Sequence, residues 1–255
     1  MMFKQRRRAI LGAPVVLTLS AGLAAGCATG PSGATPSTGT TSTTSNTALT
    51  ATVTPTPAVR APLTYVALGA SDTAGVGVEN PQQDSWVAVL ARRLPQPARF
   101  VNLGIPGVRL FEAIEVELPP ALEAKPDLIT IWLVVNDILG GVTLDRYRAD
   151  LDRLLGQLRA GTTGRIAIGN VPNAPNTLQY LGLPAAQRRV LAESWNAAIA
   201  AAASAHGATL VDLYARWPLT QHPEYIGPDR LHPTVVGYRT LAATFHQVLR
   251  EEHII

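Results

Sequence analysis

From Leu63 onward the chain alternates short apolar runs with stretches of helical period, and this alternation constrains the fold more than any other feature. The runs Thr64 to Leu68, Arg99 to Leu103, Leu128 to Val135, Arg165 to Ile168 and Thr209 to Leu213 show no clean apolar-polar alternation. Strands of that kind have both faces covered, as parallel strands do between two helical layers. Each helical stretch carries one apolar side. The first has Leu144, Tyr147, Leu151, Leu154, Leu155 and Leu158 behind a Thr143 cap, the second Val190, Leu191, Trp195, Ala198 and Ile199, and the last Tyr238, Leu241, Phe245, Val248 and Leu249. Weaker helices are expected at Asp84 to Leu94 and Leu110 to Ala124, the latter broken by Pro119 and Pro120. Residues 62–255 therefore read as one α/β domain, with no internal repeat and no second linker.

The segment before the domain has a different composition. Residues 1–27 begin with Lys4, Arg6, Arg7 and Arg8, continue as an apolar run from Ala9 to Ala25, and end in small residues before Cys27. This is the pattern of an export signal, and it is set aside from fold reasoning. The run is 17 residues long and interrupted by Gly12 and Pro14, short of the roughly 20 apolar residues that a membrane span needs. Arg7-Arg8 also resembles a twin-arginine signal. Leu23-Ala24-Ala25-Gly26-Cys27 resembles the bacterial lipoprotein box, which implies lipidation of Cys27 and a membrane partner through that anchor. The expected location is the extracytoplasmic face of a bacterial membrane, or secretion if the signal is an ordinary cleaved one. From Ala28 to Ala61 all but five residues are Ser, Thr, Pro, Gly or Ala, a composition that builds no core and suits a disordered tether.

Charge and cysteine content exclude further classes. Removing the four basic residues of the signal from a total of 21 leaves 17 against 18 acidic residues, so no basic surface for nucleic acid is expected. Cys27 is the lone Cys, so no internal disulfide forms. The domain is expected to work as a monomer.

Three short segments carry candidate chemistry. Gly69-Ala70-Ser71-Asp72-Thr73-Ala74-Gly75 follows the first strand, at the end of a parallel sheet where ligand crevices lie. Of the four serines in the domain, Ser85 stands at a helix start and Ser194 and Ser204 in an Ala-rich helix, which leaves Ser71 as the candidate nucleophile. The alternative is that Ser71 and Asp72 only shape a turn. The segment matches neither a phosphate loop nor a dinucleotide fingerprint.

The second segment is Asp229-Arg230-Leu231-His232, followed by Pro233. A carboxylate three residues before an imidazole can accept its hydrogen bond and fix its tautomer, leaving the other nitrogen as a general base. His222 in the same loop is a rival base, and a metal site of His222, Asp229 and His232 matches no familiar ligand spacing. The third is a pair of loops, Asn102 to Gly107 and Val135-Asn136-Asp137. A backbone N–H at Gly104 and the Asn136 amide would serve as donors to an oxyanion. Read separately, Gly104 and Gly107 are turn residues and Asn136-Asp137 a cap. In a flavodoxin-like strand order both loops flank Ser71.

The ordered set Gly69-Ala70-Ser71, Gly104, Asn136-Asp137 and Asp229-x-x-His232 resembles the SGNH (GDSL-type) hydrolases across essentially all of Leu63 to Ile255. The resemblance implies a three-layer α/β/α sandwich around a five-stranded parallel sheet. It implies Ser71 as nucleophile, His232 as base and Asp229 as its orienter. It likewise implies an oxyanion hole from the Ser71 and Gly104 amides and the Asn136 side chain. The expected reaction is hydrolysis of a small-molecule, lipid or glycan ester, with no cofactor or metal. An acyltransferase and a non-catalytic surface lipoprotein binding an acylated or sugar ligand are the alternatives. Ala70 replaces the usual Asp of the first block, and Val134 stands where the third commonly has Gly. The loops Pro172 to Leu183 and Ala215 to Pro228 are expected to shape the pocket, with Trp217 or Tyr225 against substrate.

Overall fold

The computed structural model describes residues 62–174 and 177–255; the segments expected to form an export signal and a tether, with Cys27, lie outside the described residues. Strand β1 (Leu63–Gly69) is followed by the short helices α1 (Ser71–Ala74) and α2 (Pro81–Asp84), helix α3 (Trp86–Arg93) and strand β2 (Ala98–Asn102). Helices α4 (Leu110–Val116) and α5 (Leu118–Glu123) lead to β3 (Leu128–Trp132), α6 (Val135–Leu139) and the long α7 (Leu144–Gly161). Then come β4 (Arg165–Gly169), α8 (Ala185–Ala205), β5 (Thr209–Val211), α9 (Leu213–Arg216) and α10 (Val235–Glu251). The strands form one parallel sheet in the order β2-β1-β3-β4-β5, the flavodoxin-like order expected from the sequence.

Both sheet faces are covered. Helix α3 packs on α10, where the Trp86 and Phe245 rings meet at 4.4 Å, and α4, α5, α7 and α8 form the other layer, with Tyr147 against Trp195 at 4.6 Å. The central strand β3 is buried at all five positions, which accounts for its unbroken apolar run. Side chains cap the starts of α3 (Ser85), α7 (Thr143) and α10 (Thr234).

Three expectations shift. The third strand ends at Trp132 because Val135 already opens α6. The break expected at Pro119 and Pro120 falls earlier, at Glu117, and both prolines sit in the first turn of α5, where a missing N–H costs nothing. On α8 the buried stripe runs through Ala192, Trp195, Ala198, Ile199 and Ala203, and Val190 lies on the outer side, 60% exposed. An Ala-rich helix has a weak apolar face, so its phase is poorly encoded by periodicity.

Candidate active site

The end of β1 turns directly into α1, which brings Ser71 to the carboxyl end of the sheet. The turn is tight: a Cβ at Gly69 would overlap Thr73 Oγ1, and Gly75 closes α1 with φ +86°, a conformation that favours glycine. The Ser71 carbonyl accepts from the amides of Gly75 and Val76, both at 2.9 Å. Ser71 itself is 9% exposed.

The Asp229–His232 loop is held by its own polar groups. Asp229 Oδ1 accepts from the Leu231 and His232 amides at 3.0 Å each, and Asp229 Oδ2 lies 2.6 Å from His232 Nδ1. Arg230 takes the left-handed conformation (φ +58°) that this folded-back geometry requires. Burial pushes the Asp229 carboxyl up, but the bonds from His232 Nδ1 and the two amides outweigh it and leave its pKa below the usual value. With Nδ1 directed at Asp229, Nε2 is the nitrogen left for proton transfer.

This loop abuts the Ser71 turn. A Cβ at Gly77 would lie 3.2 Å from His232 Cβ, and the Tyr238 hydroxyl donates to the Val76 carbonyl at 2.7 Å. Asp72 lines a small cleft, about 260 Å³ with its open mouth, together with Leu231, Pro233, Trp132 and Trp217. Among the described residues no hydrogen bond joins Ser71 Oγ to the His232 ring. Asp72 Oδ1 is sealed from solvent without a partner. Burial raises its pKa to about 6, with His232 pulling it down and Asp229 pushing it up.

The expected oxyanion donors divide. Asn136, on the first turn of α6, donates through Nδ2 to the Val108 carbonyl at 2.9 Å, which fixes its amide beside the 104–109 loop. The Gly104 amide differs from expectation: it donates to Asn102 Oδ1 at 3.0 Å, and a Cβ there would sit 2.7 Å from the Ala74 nitrogen and 2.8 Å from Thr73. Gly104 is thus a close-packing position whose N–H is already occupied. Gly107, next to the Val108 carbonyl that holds Asn136, is exposed with φ +82°, and its amide makes no hydrogen bond among the described residues. Asp137 does not cap its own turn. Its buried carboxylate accepts from the Leu110 amide at the start of α4 (3.1 and 3.2 Å), and burial raises its pKa to about 6.

The rival base His222 pairs with Glu224 at 2.9 Å and stacks on Tyr225 at 4.6 Å, so it does not join Asp229 and His232. Trp217 is buried, donates to Thr240 Oγ1 at 3.1 Å and packs edge-on against Trp132, so it mainly holds its loop down. Tyr180, from the Pro172 to Leu183 loop, is exposed and donates its hydroxyl to the Asp229 carbonyl. Glu117, which no sequence motif marks, accepts from the Gly69 amide at 2.9 Å. The signal for it was present, since Leu110, Ala113, Ile114, Glu117, Leu118 and Ala121 form one buried stripe with an acid in the middle.

A model of the GDSL-like lipase/acylhydrolase family matches residues 67–240. A search of the curated proteins finds no match. Among solved structures, TesA superposes with TM-score 0.63 at 23% identity, covering 75% of this chain and 99% of its own. A lipase/acylhydrolase from Enterococcus faecalis gives 0.61 at 21% identity (74% and 96%). The acetylxylan esterase Axe2 from Geobacillus stearothermophilus gives 0.59 at 22% identity (74% and 93%). At these identities the structural likeness concerns the fold.

Proposed function

The chain belongs to the GDSL-like lipase/acylhydrolase family and is a hydrolase, and from that premise we propose that it is a serine esterase working through an acyl-enzyme. Ser71 is the nucleophile, His232 the general base and Asp229 the group that orients the base. His232 Nε2 takes the Ser71 proton as Oγ bonds to the ester carbonyl carbon, and the imidazolium returns that proton to the leaving alcohol as the C–O bond breaks. Water, deprotonated by the same nitrogen, then releases the acid and restores Ser71. The observation that carries this reading is the 2.6 Å contact between His232 Nδ1 and Asp229, on a loop abutting the Ser71 turn.

For the oxyanion we infer three donors: the Ser71 amide, the Asn136 side chain and the amide of Gly107. Gly107 replaces Gly104 in this role because its N–H makes no bond among the described residues and the Gly104 N–H is held by Asn102. Carboxylic esters are the proposed substrate class, and a chain-length series of model esters run beside acetylated polysaccharide assigns the acyl group. The test of the nucleophile is Ser71→Ala. The variant should lose esterase turnover and labelling by a serine-reactive phosphonate while keeping its fold. A purified Ser71→Ala protein with normal activity removes Ser71 from the mechanism.

A further inference from the structure

Glu117 is a fully buried glutamate that the mechanism above does not use. Acids are almost never fully buried unless paired, yet no cation among the described residues meets this one. Its polar neighbours are the Gly69 and Ile105 amides, and no charged side chain on β1, α4, α5 or α7 contributes to its ionisation. Burial raises its pKa to about 8, so the carboxyl is largely protonated at neutral pH. Its Oε1 is sealed without a partner, as is Thr73 Oγ1, which also lies against Gly69. A group this costly to bury calls for an explanation.

The sheet register supplies one. Strand β2 stays paired with β1 only as far as Ala67 and Asn102. Beyond that point the β2 side of β1 is served by the outgoing loop: the Leu103 amide donates to the Ala67 carbonyl at 2.9 Å and the Ile105 amide to the Gly69 carbonyl at 3.0 Å. The Gly69 N–H then has no strand partner on that side. Glu117 Oε2 takes it at 2.9 Å. The glutamate reaches this spot because its backbone is shared by two helices: its amide donates to Ala113 in α4 and its carbonyl accepts from Ala121 in α5. One peptide, Gly69, therefore links the turn carrying Ser71, two residues on, to the loop carrying Gly107, and Glu117 is the side chain that fixes it. Ala70 gives the turn no polar side chain of its own at the neighbouring position.

We propose that Glu117 is a positioning residue of the active site, its buried carboxyl holding the Gly69 peptide so that the Ser71 turn and the Ile105 to Gly107 loop keep their spacing. The inference rests on the reading of Ser71 as nucleophile. Spacing matters because a displacement near 1 Å at a reacting group costs on the order of 100-fold in rate. Glu117 touches no substrate, so its loss should appear in kcat and leave KM nearly unchanged.

The experiment compares Glu117→Gln, Glu117→Asp and Glu117→Met with wild type on a p-nitrophenyl ester, with circular dichroism to confirm folding. Gln keeps an oxygen at the same reach, and its kcat should stay within about threefold of wild type. Asp keeps the carboxyl but draws it back by one methylene, and Met removes the acceptor. For these kcat and the rate of phosphonate labelling should fall roughly 10- to 100-fold, with KM within about twofold. If the Met variant does not fold, the Asp and Gln pair decides the matter. A folded Asp variant with full kcat, a loss confined to KM, or a Gln variant as impaired as Asp overturns the proposal. Ser71→Ala in the same assay separates the two failures: an active Ser71→Ala protein defeats the nucleophile reading, whereas an inactive one beside a fully active Asp variant defeats only the role of Glu117.

Discussion

The two halves of the candidate site are held in place by opposite means. The Ser71 turn is a continuation of a buried strand, and the buried acids of this half, Glu117, Asp137 and Asp72, have pKa values raised by burial. The Asp229–His232 loop is half exposed and is organised by hydrogen bonds that lower the pKa of its acid. One half is positioned by packing and tolerates the cost of sealed carboxyls. The other is positioned by a single carboxylate that satisfies three donors at once. In the proposed mechanism the nucleophile needs a fixed location, which a sheet provides, whereas the base must also change charge during the reaction, which suits a loop reached by solvent.

Breaking the loop half should have the largest effect. Asp229→Asn keeps the size of the side chain but loses the charge that stabilises imidazolium and the acceptor that sets the tautomer. Turnover should fall by about 10⁴-fold, the scale seen when a triad acid is neutralised, and the ester assay at neutral pH reads it directly. Asn136→Ala tests the other half, because the amide sits on α6 beside the loop that follows β2. Removal of one oxyanion donor should cost roughly 100- to 1000-fold in kcat, with less change in KM. A loss under fivefold in a folded Asn136→Ala protein would assign the oxyanion to backbone amides alone.

The same contrast explains what was legible in the sequence. The parallel sheet could be read because its strands lack alternation and the segments between them carry helical period. Asp229 and His232 could be paired because their contact is local, three residues apart. That the Gly104 amide is already taken was not legible, because it depends on the Asn102 side chain folding back on it. The contact of Glu117 with Gly69 spans 48 residues in sequence, so its helical stripe marks it as buried without saying against what. In α8 the expected face failed at Val190 because alanine fits either side of a helix.

Asp72 offers the smallest and most selective test, since it belongs to the packed half while facing His232 of the loop half. Its carboxyl has a folded pKa near 6 against an ordinary value of 3.8. A raised carboxyl pKa means that the folded state binds the proton more tightly than the unfolded one. The stability it confers is therefore full below about pH 4, falls as pH rises from there to about 6, and is flat above. Asp72→Asn removes that titration. Relative to wild type the variant should melt higher at pH 7.5 than it does at pH 4, with packing effects cancelling in the difference between the two pH values. Partial solvent contact of Asp72 reduces the effect, and roughly 1 kcal/mol, about 2–4 °C in a domain of this size, is expected. Melting curves at the two pH values measure it. An unchanged difference would mean that the attraction of His232 compensates the burial of Asp72, so that the two halves are coupled in charge as well as in space.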